Sequence, residues 1–266
     1  MFGNPIGHSK SPIIHRCFAE QTAQDMQYEA ILAPLEGFAD SWRRFVAQGG
    51  RGANVTVPFK AEAVSIADVL TERAKLAGAV NTLYLDSKGL VCGDNTDGVG
   101  LVTDLNRLGT NLLGSQVLLL GAGGASRGVI GPLLAAGVSH VHIANRTLAN
   151  AIAVADVFDS RVSASDFQTI PTQSWTVVVN ATSSSLTGDK PDISPMHLQS
   201  VQIAYDMMYG KEPTAFLHWC NQHGVLCCAD GLGMLVAQAA ESFYIWRGVR
   251  PTTDVVLHKL TGMLRT

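Results

Sequence analysis

Gln116-Val117-Leu118-Leu119-Leu120 runs directly into Gly121-Ala122-Gly123-Gly124-Ala125-Ser126-Arg127, and a helical pattern continues to residue 136. The stretch ahead of the glycines is a short, continuous apolar run, as expected of a strand covered on both faces. Strand, glycine turn and helix in that order form the context that a dinucleotide-binding fingerprint requires. Gly121 permits the tight turn, and Gly123 lets backbone approach a pyrophosphate. The helix N-terminus favours the negative charge that would sit there. The sixth position is Ser126, where the common pattern has Gly or Ala. The same letters also suit a plain strand-to-helix turn, because glycine is common in such turns.

The next apolar run ends at Asn145-Arg146-Thr147. An NAD site places Asp or Glu at this point to hold the ribose 2′-hydroxyl. Arg146 can instead give a 2′-phosphate two charge-assisted hydrogen bonds, each worth roughly 1.5–3 kcal/mol. That favours NADP. The alternative is an arginine at a solvent-facing strand end, with Asn145 and Thr147 starting a helix.

Outward from this centre, strand-like runs alternate with helix-length segments. Strands are expected at 28–32, 52–57, 79–85, 90–92, 116–120, 140–144, 176–180, 201–205 and 225–228, and helices at 35–47, 98–108, 125–136, 148–158, 234–246 and 253–264. The alternation predicts an α/β protein with mostly parallel sheets. The first ninety or so residues are more interrupted, with Gly-Pro loops and a hairpin expected around Asp86-Ser87-Lys88-Gly89. Turn chemistry at Gly93-Asp94-Asn95-Thr96-Asp97-Gly98 marks a boundary. The expected division is residues 1–96 plus 232–266 as one domain and 97–231 as a Rossmann-type domain, with the last helices packing back on the first.

Composition narrows the function class. With 47% apolar residues and a net charge of −3, the chain can fill a core and shows no basic footprint for nucleic acid or a membrane surface. No apolar run is long enough to span a bilayer. Cys17, Cys92, Cys220, Cys227 and Cys228 have no repeating spacing, which fits reduced thiols and a cytoplasmic protein. Cys227 and Cys228 are expected on an interior strand. His140 and His142 share a strand face, but no carboxylate or thiol completes a metal set, so no metal is expected.

The first half holds a second group of polar residues. Ser9-Lys10-Ser11-Pro12 reads as a helix start with Ser11 as N-cap and Pro12 at the first helical position; it is either a cap alone or an anion site for a carboxylate. In Asn54-Val55-Thr56-Val57-Pro58-Phe59-Lys60, Asn54 and Thr56 share a face. Lys60 lies just past the strand end, either solvated or ligand-facing. Asn81 interrupts an apolar strand, Asp97 begins a helix, and Gln238 sits on an apolar helix face after Gly231-Leu232-Gly233. Each also has an ordinary reading as a cap or a satisfied polar group.

In this order, the segments resemble the shikimate dehydrogenases over nearly the whole chain. The resemblance implies NADPH-dependent, reversible reduction of 3-dehydroshikimate to shikimate in aromatic amino-acid biosynthesis. It implies Lys60 and Asp97 as the catalytic pair, Ser9 and Ser11 on the substrate carboxylate, and Thr56, Asn81, Tyr209 and Gln238 on the polyol side. Gly121, Ala122, Gly123, Gly124, Ala125, Asn145, Arg146, Thr147, Met207 and Gly231 are implied cofactor contacts. Only Met1 and Phe2 precede the Gly3-Asn4-Pro5 motif, where members usually carry a short strand, and Leu148, Ala149 and Asn150 supply no second basic residue after Arg146. The partners expected are small molecules, with a monomer or homodimer as the working unit. The rival readings are a quinate/shikimate dehydrogenase with relaxed substrate and cofactor choice, against which Asn145-Arg146 argues, and a non-catalytic NADP-binding sensor, against which the retention of Lys60 and Asp97 argues.

Overall fold

Short strands organise the first half of the computed structural model, which describes residues 1–265. β1 (Phe2–Gly3), α1 (Ser11–Gln21), β2 (Ile31–Leu32), α2 (Phe38–Ala47) and β3 (Gly52–Asn54) come first. They are followed by α3 (Glu62–Ile66), β4 (Val69–Leu70), α4 (Glu72–Ala77), β5 (Thr82–Leu85) and β6 (Val91–Asp94). β1 and β2 pair in parallel, and Phe2 bridges Val55, so a two-residue strand that takes in Gly3 of the motif forms where the sequence left too few residues ahead of it. Phe2 is held there by edge-on contacts with the rings of Phe38, Trp42 and Phe45.

The remaining strands form a sheet of order β3-β5-β6-β4, antiparallel except for the β4–β6 pair. This half departs from the parallel expectation for a local reason. Asp86 Oδ1 accepts the N–H groups of Lys88 and Leu90, and Gly89 takes a φ of 82°, reversing the chain within a few residues. Strands joined by so short a turn must run antiparallel.

The second half continues with α5 (Asp97–Arg107), β7 (Gln116–Leu120), α6 (Gly124–Ala135), β8 (His140–Ala144), α7 (Leu148–Ala155) and β9 (Val162–Ser165). Then come β10 (Val177–Asn180), β11 (Ile203–Asp206), α8 (Ala215–Gln222), β12 (Cys227–Asp230), α9 (Leu232–Arg247) and α10 (Asp254–Arg265). All six strands are parallel, in the order β12-β11-β10-β7-β8-β9. Alternate β7 residues feed opposite cores: Val117 and Leu119 pack with Val129 and Ile143, and Leu118 and Leu120 with Trp175 and Val178. The chain leaves β7 in one direction and returns at β10 on its other side. That reversal opens a crevice beyond the C-terminal ends of these two strands.

Several local expectations are corrected. β9 escaped the sequence reading because Val162-Ser163-Ala164-Ser165 is half polar; Ser163 and Ser165 are hydrogen-bonded to the rings of His140 and His142. Cys227 and Cys228 lie on β12, the edge strand of the sheet, and are half-buried. Ser11 is not an N-cap. Lys10 holds that position, Ser11 is the first helical residue, and the Ser9 hydroxyl accepts the Ser11 N–H at 3.2 Å.

α9 and α10 pack back on the first half. Ile14 and Phe18 of α1 share a core with Val236, Phe243, Val256 and Leu260.

Candidate active site

Ser9, Ser11, Thr56, Lys60, Asn81, Asp97, Tyr209 and Gln238 all reach one cavity of about 410 Å³. Met207 and Gly231, expected on the cofactor side, line it as well. The turn after β3 sets Lys60. Phe59 is buried against Phe38 with ring centroids 5.1 Å apart, and the Phe59 N–H is donated to Thr56 O at 2.9 Å. Burial of such a ring contributes about 1.5–3 kcal/mol. The Lys60 carbonyl accepts the Val80 N–H at 2.8 Å, so the turn is tied to the neighbouring segment.

Lys60 Nζ donates to Asp97 Oδ2 at 2.6 Å, with the lysine side chain 29% and the aspartate 11% exposed. Asp97 leads α5 but does not cap it; its second oxygen accepts from Asn81 Nδ2 at 2.8 Å, and its own N–H goes to Asn95 Oδ1. Asn81 also donates to Gln238 Oε1 at 3.3 Å and accepts the Thr96 N–H at 2.9 Å. Lys60, Asn81, Asp97 and Gln238, each noted singly in the sequence, are thus part of one network.

Further members of that network were not legible as site residues. Asn54 Nδ2 donates to Ser242 Oγ at 2.9 Å, and Ser242 exchanges hydrogen bonds with Thr82 and Thr96. Asn54 Oδ1 accepts from Tyr28 OH at 2.6 Å and meets His15 Nε2 at 3.1 Å. His15 stacks on Tyr28, and burial lowers its pKa to about 3, so the ring stays neutral. One signal was available: Ser242 lies one helical turn beyond Gln238 and so faces the same way.

The loops beyond β7 and β8 carry the expected cofactor residues 121–125 and 145–147. Gly121 takes a φ of 106°, in the left-handed region that glycine tolerates, and a Cβ there would lie 3.1 Å from Thr182. Gly123 and Gly124 face open space, so backbone is accessible at the start of α6. Ser126 Oγ is buried without a hydrogen-bond partner. At the end of β8, Asn145 Nδ2 donates to Thr147 O, and Arg146 is exposed with no carboxylate partner among the described residues. An accessible helix start beside an exposed cation suits a dinucleotide carrying an extra phosphate.

Residues 1–83 match the shikimate dehydrogenase substrate binding domain, 105–191 the shikimate/quinate 5-dehydrogenase family, and 231–261 the shikimate 5′-dehydrogenase C-terminal domain. The shikimate dehydrogenase (NADP(+)) of Thioalkalivibrio sulfidiphilus is 54% identical over 98% of this chain and 96% of the relative. The chain belongs to the shikimate dehydrogenase family. Among solved structures, an Ael1 enzyme from Pseudomonas putida superposes with a TM-score of 0.94 at 45% identity, covering 98% of this chain and 96% of that one. The shikimate 5-dehydrogenase of Thermus thermophilus, solved with NADP(H) and shikimate, gives 0.86 at 31% identity over 99% and 97%.

In this family member, one set of cavity residues comes from α1, the segments flanking β3 and β5, α5 and α9, and a second set, Met207, Tyr209 and Gly231, from just beyond β11 and β12. The cavity lies where the two sets meet.

Proposed function

We propose that this chain is an NADP-dependent shikimate dehydrogenase, reducing 3-dehydroshikimate to shikimate with NADPH, reversibly, in aromatic amino-acid biosynthesis. The observation that carries the reading is the 2.6 Å Lys60–Asp97 contact in a cavity that Met207 and Gly231 also line. When bound, NADPH supplies the hydride for the ketone carbon. Lys60 points its ammonium into the cavity, where it stabilises charge developing on the ketone oxygen and gives that oxygen a proton. Asp97 and Asn81 fix the direction from which Lys60 donates. Partial exposure of Lys60 lets it recover the proton from water. In the reverse direction the same group, having first given its proton to water, accepts one from the hydroxyl as the neutral amine.

Ser9 and Ser11, at the positive end of α1, hold the substrate carboxylate. Thr56, Asn81, Tyr209 and Gln238 meet the ring hydroxyls. Gly121, Ala122, Gly123, Gly124 and Ala125 cradle the pyrophosphate, Asn145, Arg146 and Thr147 hold the adenosine end, and Met207 and Gly231 flank the nicotinamide. The domain division we propose is 1–96 plus 232–266 for substrate and 97–231 for NADP. No helix among the described residues is long and apolar enough to cross a membrane; we place the enzyme in the cytoplasm, as a monomer or homodimer that light scattering will distinguish.

The test is NADPH oxidation with 3-dehydroshikimate, run beside NADH and 3-dehydroquinate. Turnover confined to NADPH and 3-dehydroshikimate supports the reading; none with any pair overturns it. Arg146→Ala is expected to weaken NADPH by at least about tenfold, a loss of about 1.4 kcal/mol or more, while sparing NADH. Equal weakening of the two cofactors in fluorescence titrations would remove Arg146 from phosphate recognition.

A further inference from the structure

We propose that Asp104 and Tyr205 are positioning residues that seat the first turn of α9, and with it Leu235 and Gln238, against the substrate; the functional part of this inference rests on the reading of the cavity given above. Asp104 lies about two turns beyond Asp97 on α5 and is 2% exposed. Its Oδ2 accepts from Tyr205 OH at 2.7 Å, and the Tyr205 oxygen accepts the Met234 N–H at 3.2 Å. Met234 is in the first turn of α9, where an N–H has no partner inside the helix. A buried carboxylate is thereby linked through one phenol to an orphan donor at the positive end of α9. Arg107 Nε donates to the other Asp104 oxygen at 2.7 Å. Burial and the neighbouring Asp104 charge hold the Tyr205 hydroxyl well above its ordinary pKa, so it remains a donor to that carboxylate.

Glycines let these groups close on the helix. A Cβ on Gly233 would lie 2.1–2.2 Å from the Asp104 carboxylate atoms, one on Gly231 2.2 Å from Met207 O, and one on Gly100 of α5 2.8 Å from Met234 O. The first turn of α9 is therefore wedged between α5 and the end of β11. The N-cap, Gly231, offers no side-chain cap, and Asp230 Oδ1 takes the Leu232 N–H. The Met234 N–H is left to Tyr205. Since Met234, Leu235 and Gln238 line the cavity, a shift of this turn moves the substrate side and leaves the pyrophosphate loop after β7 in place.

Tyr205→Phe removes the link while keeping the ring, and Asp104→Asn keeps the shape while removing the charge. In both, the shikimate KM is expected to rise about tenfold, the effect of losing about 1.4 kcal/mol. The NADP⁺ Kd, read by fluorescence titration, should stay within about twofold. Amide hydrogen exchange should quicken at residues 234–238, a readout independent of turnover. A general loss of stability would weaken both ligands in parallel or leave both constants unmoved, and either result overturns the proposal. Unchanged exchange at 234–238 in Tyr205→Phe also overturns it, whatever becomes of Asp104→Asn. Absent wild-type turnover with 3-dehydroshikimate would instead overturn the substrate reading, with exchange still deciding whether the clamp exists.

Discussion

Lys60→Ala is expected to lower kcat by about 10²–10⁴-fold while changing the substrate KM little. The size follows from what the alanine removes. Lys60 is the ammonium that Asp97 and Asn81 orient into the cavity, and neither of these can supply its proton. Asp97 is an acceptor when ionised, and the Asn81 amide is engaged with Thr96, Asp97 and Gln238. Binding rests on a wider set of contacts, the Ser9 and Ser11 end included, so KM is much less sensitive. Steady-state kinetics with 3-dehydroshikimate measure both constants. A variant with near wild-type kcat would exclude Lys60 from the chemistry.

Asp94→Ala is expected to cost about 3 kcal/mol of stability at neutral pH, the low end for breaking a buried ion pair, because Arg73 is a quarter exposed. Asp94 is 3% exposed and receives both Arg73 Nε and Nη2 at 2.6–2.7 Å, together with Thr71 Oγ1 and the Asn95 N–H. Arg73 also reaches Glu241, at 3.2 Å, so α4, β6 and α9 are joined through one guanidinium. Without Asp94 that cation keeps only the longer contact. The same pair predicts the pH dependence. Burial alone would raise the Asp94 pKa, but the bonds from Arg73 and Thr71 and the Arg73 charge outweigh it and hold the carboxyl below its ordinary value.

A depressed folded-state pKa stabilises the protein above the unfolded value of about 3.9, and that stabilisation is lost as pH falls through the folded value. The gap between wild type and Asp94→Ala should therefore be full at pH 7 and narrow below about pH 4. Denaturant midpoints across that range measure it. A constant gap down to the acid limit would mean that Asp94 acts through packing and not through charge.

The nucleotide half was readable because its signals are local. β7 is a run of apolar residues whose two faces are both covered, and Gly121 declares its own backbone requirement. β9 was not readable, since Ser163 and Ser165 serve the histidines of the neighbouring strand and leave no apolar alternation. Ser11 was misplaced by one position because the serine-proline pair suits a cap as well as a first turn, and only the path of the preceding loop chooses. The cavity residues stood out singly, as Lys60 after an expected strand, Asn81 within one and Asp97 before a helix, each with an ordinary explanation.

Local order in the chain alone determined the Rossmann-type half and the strand end at which Arg146 stands. Those features depend on residues a few positions apart, where φ preferences and alternation act directly. Tertiary structure alone decided that Lys60 and Asp97 touch, that Ser242 joins Asn54 to Thr82, and that Asp104 reaches the start of α9. Such contacts join residues distant in sequence, and the last of them needs α5 and α9 pressed together over Gly100 and Gly233.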